Sequence, residues 1–278
     1  MDYIVNKNLA SDEEVNLSYK DYGSGRPVIL IHGWPLSKEM WEYQIEPLVE
    51  AGLRVIKYDR RGFGKSSKPW GKYDYDTLAG DLNAIMEELD LLDAVLVGFS
   101  MGGGEVVRYL SRYGSRRVSK IVLVSSVTPY LLKTADNPDG LDESVFKEML
   151  DQIGEDRIAF LDDFGKQFFG VNLVSHPVSA PLLDYYRMLA AVAAPRATKQ
   201  CAIAFAQTDF RQDVQAINVP TLVIHGDADK TVPIKASGAR TAHMIPGSQY
   251  MVYDGAPHGL FYTHKERLNQ DLISFIKS

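Results

Sequence analysis

Ser100 stands in Gly98-Phe99-Ser100-Met101-Gly102, after the apolar run Ala94–Val97 and before a segment with apolar Val106, Val107 and Leu110 at helical spacing. A serine hydroxyl is a weak nucleophile until the backbone lifts it clear and a base takes its proton. Gly-x-Ser-x-Gly meets the first need when it falls between a strand and a helix. The turn is so tight that side chains at Gly98 and Gly102 would collide with it, and glycine tolerates the backbone angles it needs. The helix that begins there points its free N–H groups at the place where a negative oxygen would form. Taken alone, the pattern also fits a glycine-rich β–α turn with no chemistry. Partners decide.

A base and an acid should follow in the chain order Ser, acid, His. His258, in Pro257-His258-Gly259 just past the short strand Tyr250–Tyr253, is placed to reach across the strand ends to Ser100. It would take the serine proton and return it to the leaving group. The other histidines fit less well. His243 and His264 read as helical and surface-placed, His176 lies in the irregular middle, and His32 and His225 sit at strand ends, where packing is the expected role. Asp227 and Asp229 both follow the strand Val219–Ile224. Asp227, directly after Gly226, is expected to bond local backbone amides as a turn former. Asp229 is better placed to project toward His258 and fix its tautomer. An oxyanion hole needs two N–H donors. The amides of Met101 and of Trp34, in His32-Gly33-Trp34-Pro35, are the candidates, since Pro35 has no N–H to offer. The Trp34 side chain also reads as core.

These residues need a scaffold that brings strand ends together. The runs Val28–Ile31, Val55–Tyr58, Ala94–Phe99, Ile121–Ser125, Thr221–Ile224 and Tyr250–Tyr253 read as strands, and helices are predicted over 39–51, 77–90, 101–113, 234–243 and 263–277. Alternation in Glu14–Lys20 predicts an antiparallel edge hairpin. A β–α repeat of this kind builds a mostly parallel sheet flanked by helices, with function at the carboxyl ends of its strands. Between Val127 and Asp213 the repeat gives way to an aromatic, helix-prone stretch with Pro138, Pro177, Pro181 and Pro195 scattered along it. The expectation is an α/β-hydrolase core over 1–126 and 214–278, with a helical cap inserted at 127–213.

Composition narrows the function further. A chain of 278 residues, 45% hydrophobic, can bury a sizeable core. Its net charge of −6 and its lack of a basic cluster argue against a nucleic-acid partner. No apolar run reaches membrane-spanning length and the N-terminus shows no signal-peptide pattern, so a soluble cytoplasmic protein is expected. The single Cys201, in an alanine-rich helical context, excludes a disulfide framework within the chain and reads as packing. Gly62-Phe63-Gly64-Lys65-Ser66 mimics the end of a phosphate-binding loop, but Asp59 stands where the first glycine belongs. Asp59, Arg60 and Arg61 read instead as a structural polar cluster beside the nucleophile turn. No metal-ligand spacing is present, and no cofactor is expected. Self-association into a homo-oligomer is left open.

The chain resembles the cofactor-free haloperoxidase, perhydrolase and aryl esterase group of α/β hydrolases. The likeness rests on HGWPLS at 32–37, YDRRGFGKSS at 58–67, YDYDTLAGDL at 73–82, GFSMGGGEVVRYL at 98–110, TDFRQD at 208–213, VPTLVIHGDADKTVP at 219–233 and GAPHGL at 255–260. The resemblance implies Asp229 as the triad acid, and Trp34 and Met101 as oxyanion donors. It implies a carboxylesterase with a small acyl pocket carrying Phe164, Phe168 and Phe205. Trp34, Pro35 and Ile234 complete the expected lining. The partners implied are a small ester or carboxylic acid and hydrogen peroxide, which would attack the acyl-enzyme to give a peracid. Free peracid then oxidises halide, so the haloperoxidase name requires no metal. A backbone carbonyl in the Trp34-Pro35 turn, held by the fixed φ of proline, is the candidate acceptor for the peroxide hydroxyl. Ser100 in place of Asp sets aside dehalogenases and epoxide hydrolases. A lactonase, a carbon–carbon bond hydrolase and a ligand-binding relative without catalysis remain as alternatives.

Overall fold

The apolar runs pair into one sheet. The computed structural model describes residues 2–6 and 14–278; Met1 and residues 7–13, part of the stretch read above for a signal peptide, lie outside the described residues. Within them the strands are β1 (Asp2–Asn6), β2 (Val15–Tyr22), β3 (Arg26–Ile31), β4 (Leu53–Tyr58), β5 (Ala94–Phe99), β6 (Val118–Val124), β7 (Thr221–Gly226) and β8 (Gln249–Tyr253), in the order β1-β2-β4-β3-β5-β6-β7-β8. β1 and β2 pair antiparallel, as do β2 and β4, and every other pairing is parallel. The expected edge hairpin is thus β1–β2, with β1 supplying a partner the sequence reading had not placed.

The helices are α1 (Glu42–Glu50), α2 (Tyr75–Glu88), α3 (Met101–Tyr113), α4 (Glu143–Phe168), α5 (Ala180–Ala191), α6 (Pro195–Gln207), α7 (Arg211–Gln215), α8 (Gly238–Met244), α9 (Leu260–Thr263) and α10 (Lys265–Lys277). Side-chain alternation along the strands divides the core into two. Ile29, Ile31, Leu96, Ile121 and Leu123 pack with Leu78, Leu82, Val106 and Val107 of α2 and α3. Val28, Leu30, Val95, Val97 and Val122 pack with Leu48 of α1 and Leu268, Leu272 and Phe275 of α10. Helices on both faces explain why the central strands read as unbroken apolar runs.

Helix ends depart from the sequence reading where local chemistry intervenes. The segment predicted over 39–51 starts as a 3₁₀ turn, Lys38–Trp41, capped by Ser37. The segment predicted over 263–277 breaks at His264, between α9 and α10. Four helices, α4 to α7, lie between β6 and β7. α4 is bent at Asp156, whose φ and ψ are −145° and 92° and whose carboxylate accepts the Ile158 and Ala159 amides.

The polar cluster after β4 is three buried ion pairs: Asp59 with Lys38, Arg60 with Glu105 of α3, and Arg61 with Asp81 of α2. Asp59 also accepts the Lys65 amide at 2.8 Å. A carboxylate of the chain itself therefore fills the centre of the loop that mimics a phosphate site.

Candidate active site

Ser100 sits between β5 and α3 with φ at +54°, a region that non-glycine residues rarely occupy. The glycines on either side permit the turn for reasons of space. A Cβ on Gly98 would come within 2.6 Å of the Gly102 carbonyl, and one on Gly102 within 2.6 Å of the Ile31 carbonyl. The Ser100 hydroxyl is thereby presented at the strand ends, 2.9 Å from His258 Nε2.

His258 Nδ1 lies 2.6 Å from Asp229 Oδ2. With the acceptor-only carboxylate on Nδ1, that nitrogen carries the hydrogen and Nε2 is free to accept from Ser100. All three residues are buried. The Asp229 carboxylate is well supplied with donors. Its Oδ1 accepts the amides of Thr231 and Val232 at 2.9 and 2.8 Å. Burial alone would raise its pKa, but the charge of His258 and hydrogen bonds from His225 and His258 outweigh burial and hold it well below the usual carboxylate range. Asp227 is exposed and its Oδ1 accepts the Gly255 amide at 2.7 Å, tying the loop after β7 to the loop after β8. The structure brings Ser100, His258 and Asp229 together and leaves Asp227 out.

Among the described residues, neither the Trp34 nor the Met101 backbone N–H donates a hydrogen bond. Met101 opens α3, so its amide has no intrahelical acceptor. The segment that carries Trp34 is anchored from below: Arg60 donates a side-chain N–H to the His32 carbonyl at 2.6 Å and its amide to His32 Nε2 at 3.0 Å.

A cavity of about 340 Å³ lies over the serine, within the size range of small-molecule sites. Trp34, Phe164 and Phe205 line it together with Ser100 and His258. The Trp34 ring meets Phe164 and Phe205 edge-on at 5.2 and 5.4 Å, and its Nε1–H is satisfied by the Thr198 carbonyl at 2.9 Å.

Three expected pocket residues lie elsewhere. Phe168 packs behind the base, its ring edge-on to His258 at 4.8 Å, where it walls off the imidazole without reaching the cavity. Pro35 faces a separate space of about 20 Å³ beside Phe168 and Tyr186. Ile234 lies in the turn into α8, its carbonyl accepting the Ser237 and Ala239 amides, and Val232 takes the lining position instead.

The sequence reading missed Phe160, Leu131, Phe146 and Met149 of the lining. Phe160 carried a signal, since Phe160, Phe164 and Phe168 recur every four residues and so share one face of α4. His225 was read as packing. It is fully buried, and its Nε2 lies 2.8 Å from the Val232 carbonyl and 3.3 Å from Asp229 Oδ2. Among the described residues no group of His, Cys, Asp and Glu is arranged to hold a metal, and no helix is long and apolar enough to cross a membrane.

Residues 26–265 match the family model described as the alpha/beta hydrolase fold. A non-heme chloroperoxidase from Kitasatospora aureofaciens is 41% identical, over 94% of this chain and 96% of its own. The chain belongs to the non-haem haloperoxidase and perhydrolase group of α/β hydrolases. Within that group, a bifunctional esterase/perhydrolase from Acinetobacter calcoaceticus is 38% identical over the full length of both chains. A crystal structure of a bromoperoxidase from Bacillus anthracis superposes with a TM-score of 0.95 at 48% identity, covering all of both chains. This α/β hydrolase therefore shares its whole architecture, sheet and helices together, with a relative named a bromoperoxidase.

Proposed function

We propose that this chain is a serine carboxylesterase that also makes peracids without a metal or organic cofactor. One observation carries the reading: Ser100, His258 and Asp229 are in hydrogen-bonded sequence, with Ser100 and His258 lining a mostly apolar cavity. Ser100 Oγ attacks the ester carbonyl carbon as His258 Nε2 takes its proton. The carbonyl oxygen becomes an oxyanion that the Trp34 and Met101 amides are free to receive. Collapse expels the alkoxide, which takes the proton from His258, and leaves Ser100 acylated. Asp229 holds the imidazole and stabilises it while it is charged. Water, deprotonated by His258, then releases the acid, whereas hydrogen peroxide releases a peracid.

The substrate is a small ester or carboxylic acid. Trp34, Phe164 and Phe205 favour an apolar acyl or aryl group. A cytoplasmic setting agrees with the lone, buried Cys201, whose thiol burial pushes up to about 12, out of reactive range.

Ser100→Ala should lower p-nitrophenyl acetate turnover at least about 10³-fold and abolish labelling by a fluorophosphonate probe, with the fold intact. Near-normal turnover by a folded, pure sample would sink the proposal. For the peroxide branch, Pro35→Leu should lower the ratio of peracetic acid formation to ester hydrolysis, and an unchanged ratio counts against a role for that turn.

A further inference from the structure

Asp229 is flanked by two histidines, and the reaction proposed above uses only one. His225, the fifth residue of β7, has no exposed surface. Its Nε2 faces only acceptors, the Val232 carbonyl at 2.8 Å and Asp229 Oδ2 at 3.3 Å, so this nitrogen carries the ring hydrogen. Oδ2 is the same oxygen that meets His258 Nδ1.

The contacts close a ring. The Val232 amide donates to Asp229 Oδ1, the Val232 carbonyl accepts from His225, and His225 reaches back to Oδ2. The carboxylate is therefore gripped at both oxygens, and its rotation about the Cβ–Cγ bond is opposed from both sides. The slot that holds the imidazole is cut to shape: a Cβ on Gly238, at the start of α8, would fall 2.5 Å from His225 Nδ1 and 2.8 Å from Cγ. Gly238 is needed there for space. The same N–H satisfies the Val232 carbonyl, the nearer of its two acceptors, and so also holds the segment whose amides bind Asp229 Oδ1.

We infer that His225 is a positioning residue of the hydrolytic reaction, a second N–H donor that aims Asp229 Oδ2 at His258. The inference rests on the reading of Asp229 as the acid. His225 never meets the substrate. Its effect is exerted through the orientation of Asp229, and hence of the His258 ring, at the moment Ser100 is deprotonated. Loss of the donor should therefore appear in kcat and leave binding in the cavity unchanged.

The test compares His225→Leu, which removes the donor, with His225→Gln, whose side-chain amide N–H reaches a similar point. Kinetics on p-nitrophenyl acetate are read beside circular dichroism, with Asp229→Asn as reference. His225→Leu should lose about 10- to 100-fold in kcat, the range spanned by a hydrogen bond to a charged group, with KM changed less than about twofold. His225→Gln should recover kcat to within about threefold of the parent. A folded His225→Leu enzyme with parental kcat overturns the inference, as does a folded Gln variant no better than Leu. If His225→Leu does not fold, Gly238→Ala reads the same quantity, because it displaces the ring and leaves the histidine in place. It should lower kcat at constant KM, and parental kcat overturns the inference. Asp229→Asn separates the two levels. If it retains activity, the acid assignment itself fails; if it is inactive while His225→Leu is normal, only the role of His225 fails.

Discussion

Asp227 and Asp229 share a loop and a side chain but not an environment. Asp229 is buried, bonded to two amides and set against two histidines, whereas Asp227 is exposed and ties one loop to another. Asp229→Asn should cost about 10²–10⁴-fold in kcat, because an amide cannot hold the imidazole in the tautomer that accepts from serine. Asp227→Asn should keep activity within about threefold and shift thermal stability slightly, as exposed substitutions do. Steady-state kinetics and melting curves on both variants check this, and activity lost only in the Asp227 variant would reverse the assignment. The two aspartates were separable in sequence because turn chemistry places a carboxylate directly after glycine. His225 was not. A histidine at a buried strand end looks the same whether it packs or donates, and only the approach of Val232 and Asp229 distinguishes the two.

Between elements, the Arg60–Glu105 pair has the widest reach. Glu105 lies on the nucleophile helix one turn after Met101, and it also accepts the Tyr58 hydroxyl at 2.8 Å. Arg60 grips the His32 carbonyl, two residues before Trp34. The pair therefore joins the two segments that bear the free amides. Removing one member of a buried pair leaves the other charge uncompensated, at a cost of about 3–5 kcal/mol. Glu105→Leu should lower the urea midpoint accordingly, and any folded fraction should lose kcat more than KM. An unfolding free energy within about 0.5 kcal/mol of the parent would show that the pair is dispensable. The sequence marked these residues as a polar cluster, yet Glu105, which completes it, lies 45 positions further on, and such pairing is invisible without the fold. Strands and the nucleophile turn were legible because period and glycine spacing are local. The cavity wall was less so. α4 advertises its Phe160, Phe164 and Phe168 face by spacing, but which of the three reaches the cavity depends on how α4 is bent and packed.

Across the whole molecule, the electrostatics of the buried strand ends set how the fold responds to acid. His32 is fully buried with Nδ1 at 2.8 Å from the Gly33 carbonyl and Nε2 accepting the Arg60 amide. Burial first, then the positive charges of Arg60 and Lys38, push its pKa well below 6.5, although the bond to Gly33 opposes them. The sign follows from linkage. Between the depressed folded value and 6.5, the unfolded chain binds a proton that the folded chain refuses, so stability falls as pH falls through this window. His264, partly buried beside Arg267, adds a slope of the same sign. Asp229 acts lower: its folded pKa lies below the ordinary 3.8, so its contribution is intact above that value and is lost on further acidification. Two acid-labile regions should therefore appear, one beginning near pH 6.5 and one below about pH 4. His32→Gln places a non-titrating acceptor near the Arg60 amide. The variant should be less stable at neutral pH, yet its melting temperature should fall less between pH 7.5 and 5 than that of the parent. Melting curves across that range decide the point, and parallel slopes in the two proteins would show that His32 does not govern the first transition.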